Sequence, residues 1–149
     1  MTTIAYDGVM LAGDRLANDN GIPTQCTKIH VLCEGSTLAG CSGDTQDKVM
    51  FLKWIDAGQP ADKKPKVEDS FRAITVERDT GKAFLYEFKL EPVLIEDDFY
   101  AIGSGRDFAW TAMSMGMSAR DAVNKAADFD IFTGNGCDMI QVYQGGNKC

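Results

Sequence analysis

Met1-Thr2-Thr3-Ile4-Ala5-Tyr6-Asp7-Gly8-Val9-Met10-Leu11-Ala12-Gly13-Asp14 opens the chain. Residues 2–6 and 9–12 form two short runs rich in β-branched and apolar side chains. Between them stands Asp7-Gly8, a pair suited to the positive φ angles of a tight hairpin turn. The chain therefore starts as an antiparallel hairpin. The second residue is a threonine, small enough for the initiator methionine to be removed. Removal would leave one residue carrying both a free amine and a hydroxyl. An α-amine with a pKa of about 8 takes a hydroxyl proton near neutrality, so this single residue would hold nucleophile and base together. A Met-Thr start alone is also compatible with an ordinary first strand.

Outward from the hairpin, Asn18-Asp19-Asn20-Gly21 with Pro23 predicts a loop, and residues 27–32 and 37–42 predict two further strands around Glu34-Gly35. Asp44 or Thr45 caps a helix with apolar residues at helical spacing, including Val49, Leu52 and Trp54, and Gly58 closes it. Residues 59–66 are Pro- and Lys-rich and predict a surface loop. Residues 71–77 and 82–88 flank Asp79-Thr80-Gly81 as a second hairpin, and residues 99–102 add an extended segment. Residues 106–117 predict a helix. The capping box Ser118-Ala119-Arg120-Asp121 starts another, to about residue 129, and residues 139–143 predict a last strand. The order describes an α+β chain of antiparallel sheet with helices on its faces.

Size and charge narrow the function. The 149 residues, 16.2 kDa, fit one domain spanning 1–149. Fifteen Lys+Arg against 22 Asp+Glu give a net charge of −7, which argues against nucleic acid or an anionic membrane as partner. With no run of about 20 apolar residues and no basic-then-apolar leader, the expected setting is cytoplasmic. Cys26, Cys33, Cys41, Cys137 and Cys149 form no CxxC pair and are expected to be free thiols.

Six blocks then follow in order: Leu-Ala-Gly-Asp14, Thr-Lys28-Ile, Leu-Ala-Gly-Cys-Ser-Gly43-Asp, Ala-Ile-Gly-Ser104-Gly, Ser-Ala-Arg-Asp121 and Asp130-Ile-Phe-Thr133-Gly. Together, and in this order after Thr2, they resemble the proteasome β-subunit family, its HslV-type members in particular, from Thr2 to about Val142. The resemblance implies a four-layer αββα N-terminal-nucleophile hydrolase sandwich and a threonine endopeptidase. It assigns Thr2 as nucleophile and, through its amine, general base. Lys28 is then the cation beside it, held by Asp14, a pairing that makes two costly buried charges tolerable. The Gly43 N–H is the oxyanion donor, with Gly40 as alternative because Ala-Gly-Cys-Ser-Gly slides by one motif. Ser104, Asp130 and Thr133 serve the free amine, with Asp128 as the substitute for Asp130.

For substrate binding the resemblance names Ala17, Cys41, Thr45 and Val49. Strand alternation adds Cys26 and His30, two residues either side of Lys28. None of these six is a carboxylate, Lys or Arg, so cleavage after neutral, mainly apolar residues is expected. A metal site at Cys26, His30 and Cys41 is the weaker alternative, since their spacing matches no zinc pattern. No metal or organic cofactor is expected. The resemblance also implies a homo-oligomeric ring that takes peptide or unfolded protein, with an AAA+ unfoldase as a further partner. Two departures stand out. Family members carry two helices where residues 45–66 offer one helix and a loop, so one covering helix is missing. The chain also stops soon after Tyr143, as expected of a compact viral or bacterial form. Other readings are an amidohydrolase acting on a small amide and a ring-forming assembly protein without activity.

Overall fold

The computed structural model describes residues 1–143. Strands β1 (Thr3–Tyr6) and β2 (Met10–Asp14) form the expected opening hairpin, with Gly8 at φ +89°. Asp7 fixes the turn. Its Oδ1 accepts the Val9 and Met10 N–H groups at 2.8 Å each, and its Oδ2 accepts the Ala119 N–H at 2.8 Å. A short acidic side chain satisfies backbone donors that the turn leaves unpaired. The hairpin is flanked by β10 (Tyr100–Gly103) and β11 (Cys137–Gln141), giving an antiparallel sheet of order β10-β1-β2-β11.

The segment expected to be a loop is instead a second hairpin, β3 (Leu16–Asp19) with β4 (Ile22–Gln25). Its turn is the Asn20-Gly21 pair, at φ +51° and +93°. Both strands are mostly exposed and carry Asn18, Asp19 and Gln25, so they have no alternating apolar face for a sequence reading to find.

The second main sheet is antiparallel in the order β5 (Ile29–Leu32), β6 (Thr37–Ser42), β7 (Arg72–Glu77), β8 (Ala83–Tyr86), β9 (Val93–Leu94). Alternation sorts its side chains. Ile29, Leu38, Ile74 and Val76 meet Ile4, Tyr6, Leu11 and Ile102 of the first sheet in the central layer. Gly40 marks the closest approach, for a Cβ there would lie 2.7 Å from Ile4 Cγ2 and 3.2 Å from Ile29 Cγ2. Only glycine lets the two sheets meet at that point.

Each sheet carries helices on its outer face. Helices α2 (Arg106–Ser114) and α3 (Ala119–Ala127) cover the first, where Ala5, Ala12 and Ala101 meet Ala109, Ala112, Ala119, Ala122 and Ala126. Small side chains on both surfaces bring helices close to the strands, at modest apolar area per residue. Ser118 caps α3 by accepting the Asp121 N–H at 3.1 Å. Helix α1 (Thr45–Asp56) covers the second sheet with Phe51, Trp54 and Ile55 against Phe71, Tyr86 and Leu90. Its cap is Asp44, whose Oδ1 accepts the Gln46 N–H at 2.8 Å. Among the described residues α1 is the sole α-helix of that layer, and a 3-10 turn at Ala61–Lys63 stands where a second would run. The layers are thus αββα with a thinned cover on one side.

Trp54 and Met113 are buried in these cores, and Trp110 packs on Tyr100 at a ring distance of 4.5 Å. No helix among the described residues is long and apolar enough to cross a membrane.

Candidate active site

Alternation along β1 decides where Thr2 goes. Ile4 and Tyr6 face the central layer, so Thr2, two residues before Ile4, falls at one end of that layer, between the sheets. Its neighbour Thr3 turns to the helix side. Thr2 is 2% exposed and lines a cleft of about 860 Å³.

Two polar networks converge on it. In the first, the Thr2 N–H donates to Ser104 Oγ at 3.1 Å, and Ser104 Oγ donates to Asp130 Oδ2 at 2.6 Å. Thr133 Oγ1 donates to the same Asp130 oxygen at 2.6 Å and pairs with Thr3 Oγ1 at 2.7 Å. Asp130 Oδ1 accepts the Phe132 N–H at 3.1 Å. Burial pushes the Asp130 carboxyl upward, but donation from Ser104, Thr133 and the Phe132 N–H, with the nearby amino terminus, outweighs it and holds the group below its ordinary value.

The second network is built on Asp14, at the end of β2. Its carboxylate accepts Lys28 Nζ at 2.9 Å and the N–H groups of Thr3 (3.0 Å), Leu16 (3.1 Å) and Gly134 (3.1 Å). Lys28 and Asp14 are both almost fully buried. Burial lowers the Lys28 ammonium's pKa, and Asp14 opposes that shift by its charge and its hydrogen bond. Each charge depends on the other, and Asp14 is further satisfied by three backbone donors.

Met1 joins the two networks. Its carbonyl oxygen accepts Thr2 Oγ1 at 2.6 Å and Lys28 Nζ at 3.3 Å, so the hydroxyl and the ammonium share one acceptor. The Met1 amine is pushed below its ordinary value by burial, then by the Lys28 ammonium, against the opposing pull of Asp130.

The structure thus gathers Thr2, Asp14, Lys28, Ser104, Asp130 and Thr133 into one cluster. Asp128 is the C-cap of α3, with its carboxylate against Lys125 at 3.4 Å, so of the two aspartates only Asp130 joins the network. Gly43 lines the cleft just before α1, at φ +127°, and a Cβ there would lie 3.2 Å from the Phe71 Cα. That backbone angle favours glycine. Gly40 lies at the interface of the sheets instead.

The substrate-side residues divide. Ala17, Cys26 and Thr45 line the cleft with Thr2. His30, Cys41 and Val49 do not. Cys41 is buried under α1, and burial pushes its thiol up to about 12. Val49 is exposed on α1. His30 sits within β5, whereas Lys28 precedes the ladder, so the strict alternation assumed between them does not hold. Cys26, His30 and Cys41 form no metal-holding group among the described residues. Cys26, Cys33, Cys41 and Cys137 are free, and Cys149 lies outside the described residues.

The expectation of an uncharged pocket fails for the cleft as a whole. Lys48, Arg72, Arg106, Asp44 and Glu68 also line it. Lys48 was legible in principle. It lies three residues after Thr45 on α1, as close around the helix as Val49 at four.

No protein-family model matches the chain, and no curated protein matches it. Solved structures do. HslV from Trypanosoma brucei is 20% identical over 93% of this chain and 98% of its own, with a TM-score of 0.69. BPH from Thiobacillus denitrificans is 18% identical over 94% of this chain and 96% of its own, with a TM-score of 0.68, and 0.67 for its complex with epoxomicin. Nearly the whole of each neighbour is matched by nearly the whole of this chain, and the chain accordingly has the α+β fold of HslV.

Proposed function

We propose that the chain is a threonine endopeptidase whose nucleophile is Thr2 after loss of Met1. The observation that carries this reading is the meeting of the Ser104-Asp130-Thr133 and Lys28-Asp14 networks on the two reactive atoms of one residue. Thr2 N already donates to Ser104 Oγ at 3.1 Å, and Thr2 Oγ1 shares the Met1 carbonyl with Lys28. Removing Met1 turns that nitrogen into an amine and releases both Oγ1 and Nζ from their common acceptor.

The steps balance without any further group. Thr2 Oγ1 attacks the substrate carbonyl carbon while its proton passes to the amine, and the negative charge forming on the carbonyl oxygen is met by the Gly43 N–H. The amine then returns the proton to the departing nitrogen, the peptide bond breaks, and an acyl ester remains on Thr2. Water cleaves that ester. Lys28 favours the deprotonated amine and the developing negative charge, Asp14 holds Lys28 in place, and Ser104 with Asp130 orients the amine. Ala17, Cys26 and Thr45 line the substrate cleft.

The fold neighbours HslV and BPH, the latter recorded with epoxomicin, support a peptidase over a small-amide hydrolase. A homo-oligomeric ring that encloses the threonines in the cytoplasm and receives unfolded chains, with an AAA+ unfoldase as feeder, is the assembly this reading implies. The test is hydrolysis of fluorogenic peptides by the wild type and Thr2→Ala. Equal rates in the two would sink the mechanism.

A further inference from the structure

The chain is acidic overall, yet the residues lining the cleft include Lys28, Lys48, Arg72 and Arg106 against only Asp44 and Glu68. Three of these cations are engaged. Lys28 is paired with Asp14 at 2.9 Å. Arg72 is paired with Glu87 at 2.9 Å and donates to the Asp69 and Phe71 carbonyls. Arg106 contacts Asp107 at 3.5 Å and lies over the Trp110 ring. Lys48 is half-buried; its backbone N–H donates to the Asp44 carbonyl at 3.0 Å, but among the described residues its ammonium has neither a hydrogen bond nor an ion pair. Nor do the two carboxylates of the lining supply one. Asp44 caps α1, and Glu68 is exposed.

The ammonium is held by solvent alone on the cleft wall, with no counter-charge from the described residues. A carboxylate brought by a ligand would supply that counter-charge as a charge-assisted hydrogen bond. Lys48 stands one turn into α1, just beyond Gly43, on the cleft that also holds Thr2. Gly43, Asp44, Thr45 and Lys48 line the same cleft as Thr2, so a side chain beside a carbonyl held between Thr2 and the Gly43 N–H shares that cleft with the Lys48 ammonium. The Lys48 field reaches Thr2's end of the cleft, for it helps to lower the proton affinity of the Met1 amine and of Lys28.

We propose that Lys48 makes this cleft selective for peptides with an acidic side chain immediately before the scissile bond, the ammonium pairing with that carboxylate. The proposal rests on the peptidase reading and replaces the neutral, apolar preference expected from the sequence. Its test compares peptides differing only as Glu or Gln at that position, on wild type, Lys48→Met, Lys48→Arg and Lys48→Glu. The expected Glu/Gln ratio of kcat/KM is about ten in the wild type. It falls toward one in Lys48→Met, is retained in Lys48→Arg, and drops below one in Lys48→Glu. An unchanged ratio in Lys48→Met, or a wild-type ratio at or below one, overturns the proposal.

A binding arm separates this outcome from failure of the peptidase reading. Titration calorimetry of the same Glu and Gln peptides on Thr2→Ala protein needs no turnover. Absence of hydrolysis of every peptide would count against the peptidase, while tighter binding of the Glu peptide, lost in a Thr2→Ala/Lys48→Met protein, would still support the Lys48 site. Equal binding of the two peptides would overturn it.

Discussion

At the residue scale, the sequence offered a threonine, a lysine and four further acids or hydroxyls whose significance came from the order of short blocks. The structure adds why these residue types are needed. Asp14 is buried with four donors around it, so removing one of them leaves a charge stranded. Lys28→Ala is therefore expected to lose nearly all peptide hydrolysis and also to destabilise the fold by about 3–5 kcal/mol, read from urea unfolding. A variant as stable as wild type would show that the pair is not a buried, mutually dependent one. Asp130 gives a pH-dependent prediction. Its carboxyl is held below its ordinary value in the folded state, so it contributes stability at pH values above the unfolded carboxyl pKa. That contribution is lost as pH falls through the folded value. Asp130→Asn should lower stability at neutral pH and flatten the decline of stability below about pH 4. An acid limb of the same slope in both proteins would contradict this.

At the element scale, legibility followed local chemistry. The opening hairpin could be read because Asp7-Gly8 breaks two apolar runs, and α3 because Ser118 and Asp121 stand at capping distance. The β3–β4 hairpin could not, since neither strand has an apolar face, although its Asn20-Gly21 turn was in plain view. The site was legible wherever a residue's place depends on its own strand, as for Thr2 and Asp14. It failed for His30, where a strand was extended backwards through Lys28, and for Lys48, where α1's rotation decides which residue meets the cleft. Gly43 follows β6 in a conformation that an alanine adopts only under strain, against the Phe71 backbone. Gly43→Ala should cost about 1–3 kcal/mol in stability and, on the proposed mechanism, in which the displaced N–H serves the transition state, reduce kcat more than it changes KM. An unchanged kcat would remove Gly43 from the oxyanion role.

At the scale of the whole molecule, the four layers put Thr2 at one end of the central layer and sort the large apolar side chains between core and surface. Trp54 and Met113 are consumed by the cores. Phe108 and Phe129, by contrast, stack at 5.4 Å and are 41% and 64% exposed, with Ile131 at 82%. On the proposed ring reading, exposed apolar residues of this kind would lie between copies of the chain. Light scattering is expected to give a multimer for the wild type and a smaller species for Phe108→Asp/Phe129→Asp, and equal masses would place any contacts elsewhere. The central claim remains that Thr2, as the true amino terminus, is the nucleophile. Intact mass with peptide mapping, on protein quenched during turnover of an activated acyl-peptide ester, tests it most directly. The account predicts a chain lighter by one methionine, carrying a single acyl group on the Thr2 peptide and none in Thr2→Ala. A hydrolysing protein that retains Met1, or an acyl group on any other residue, would contradict it.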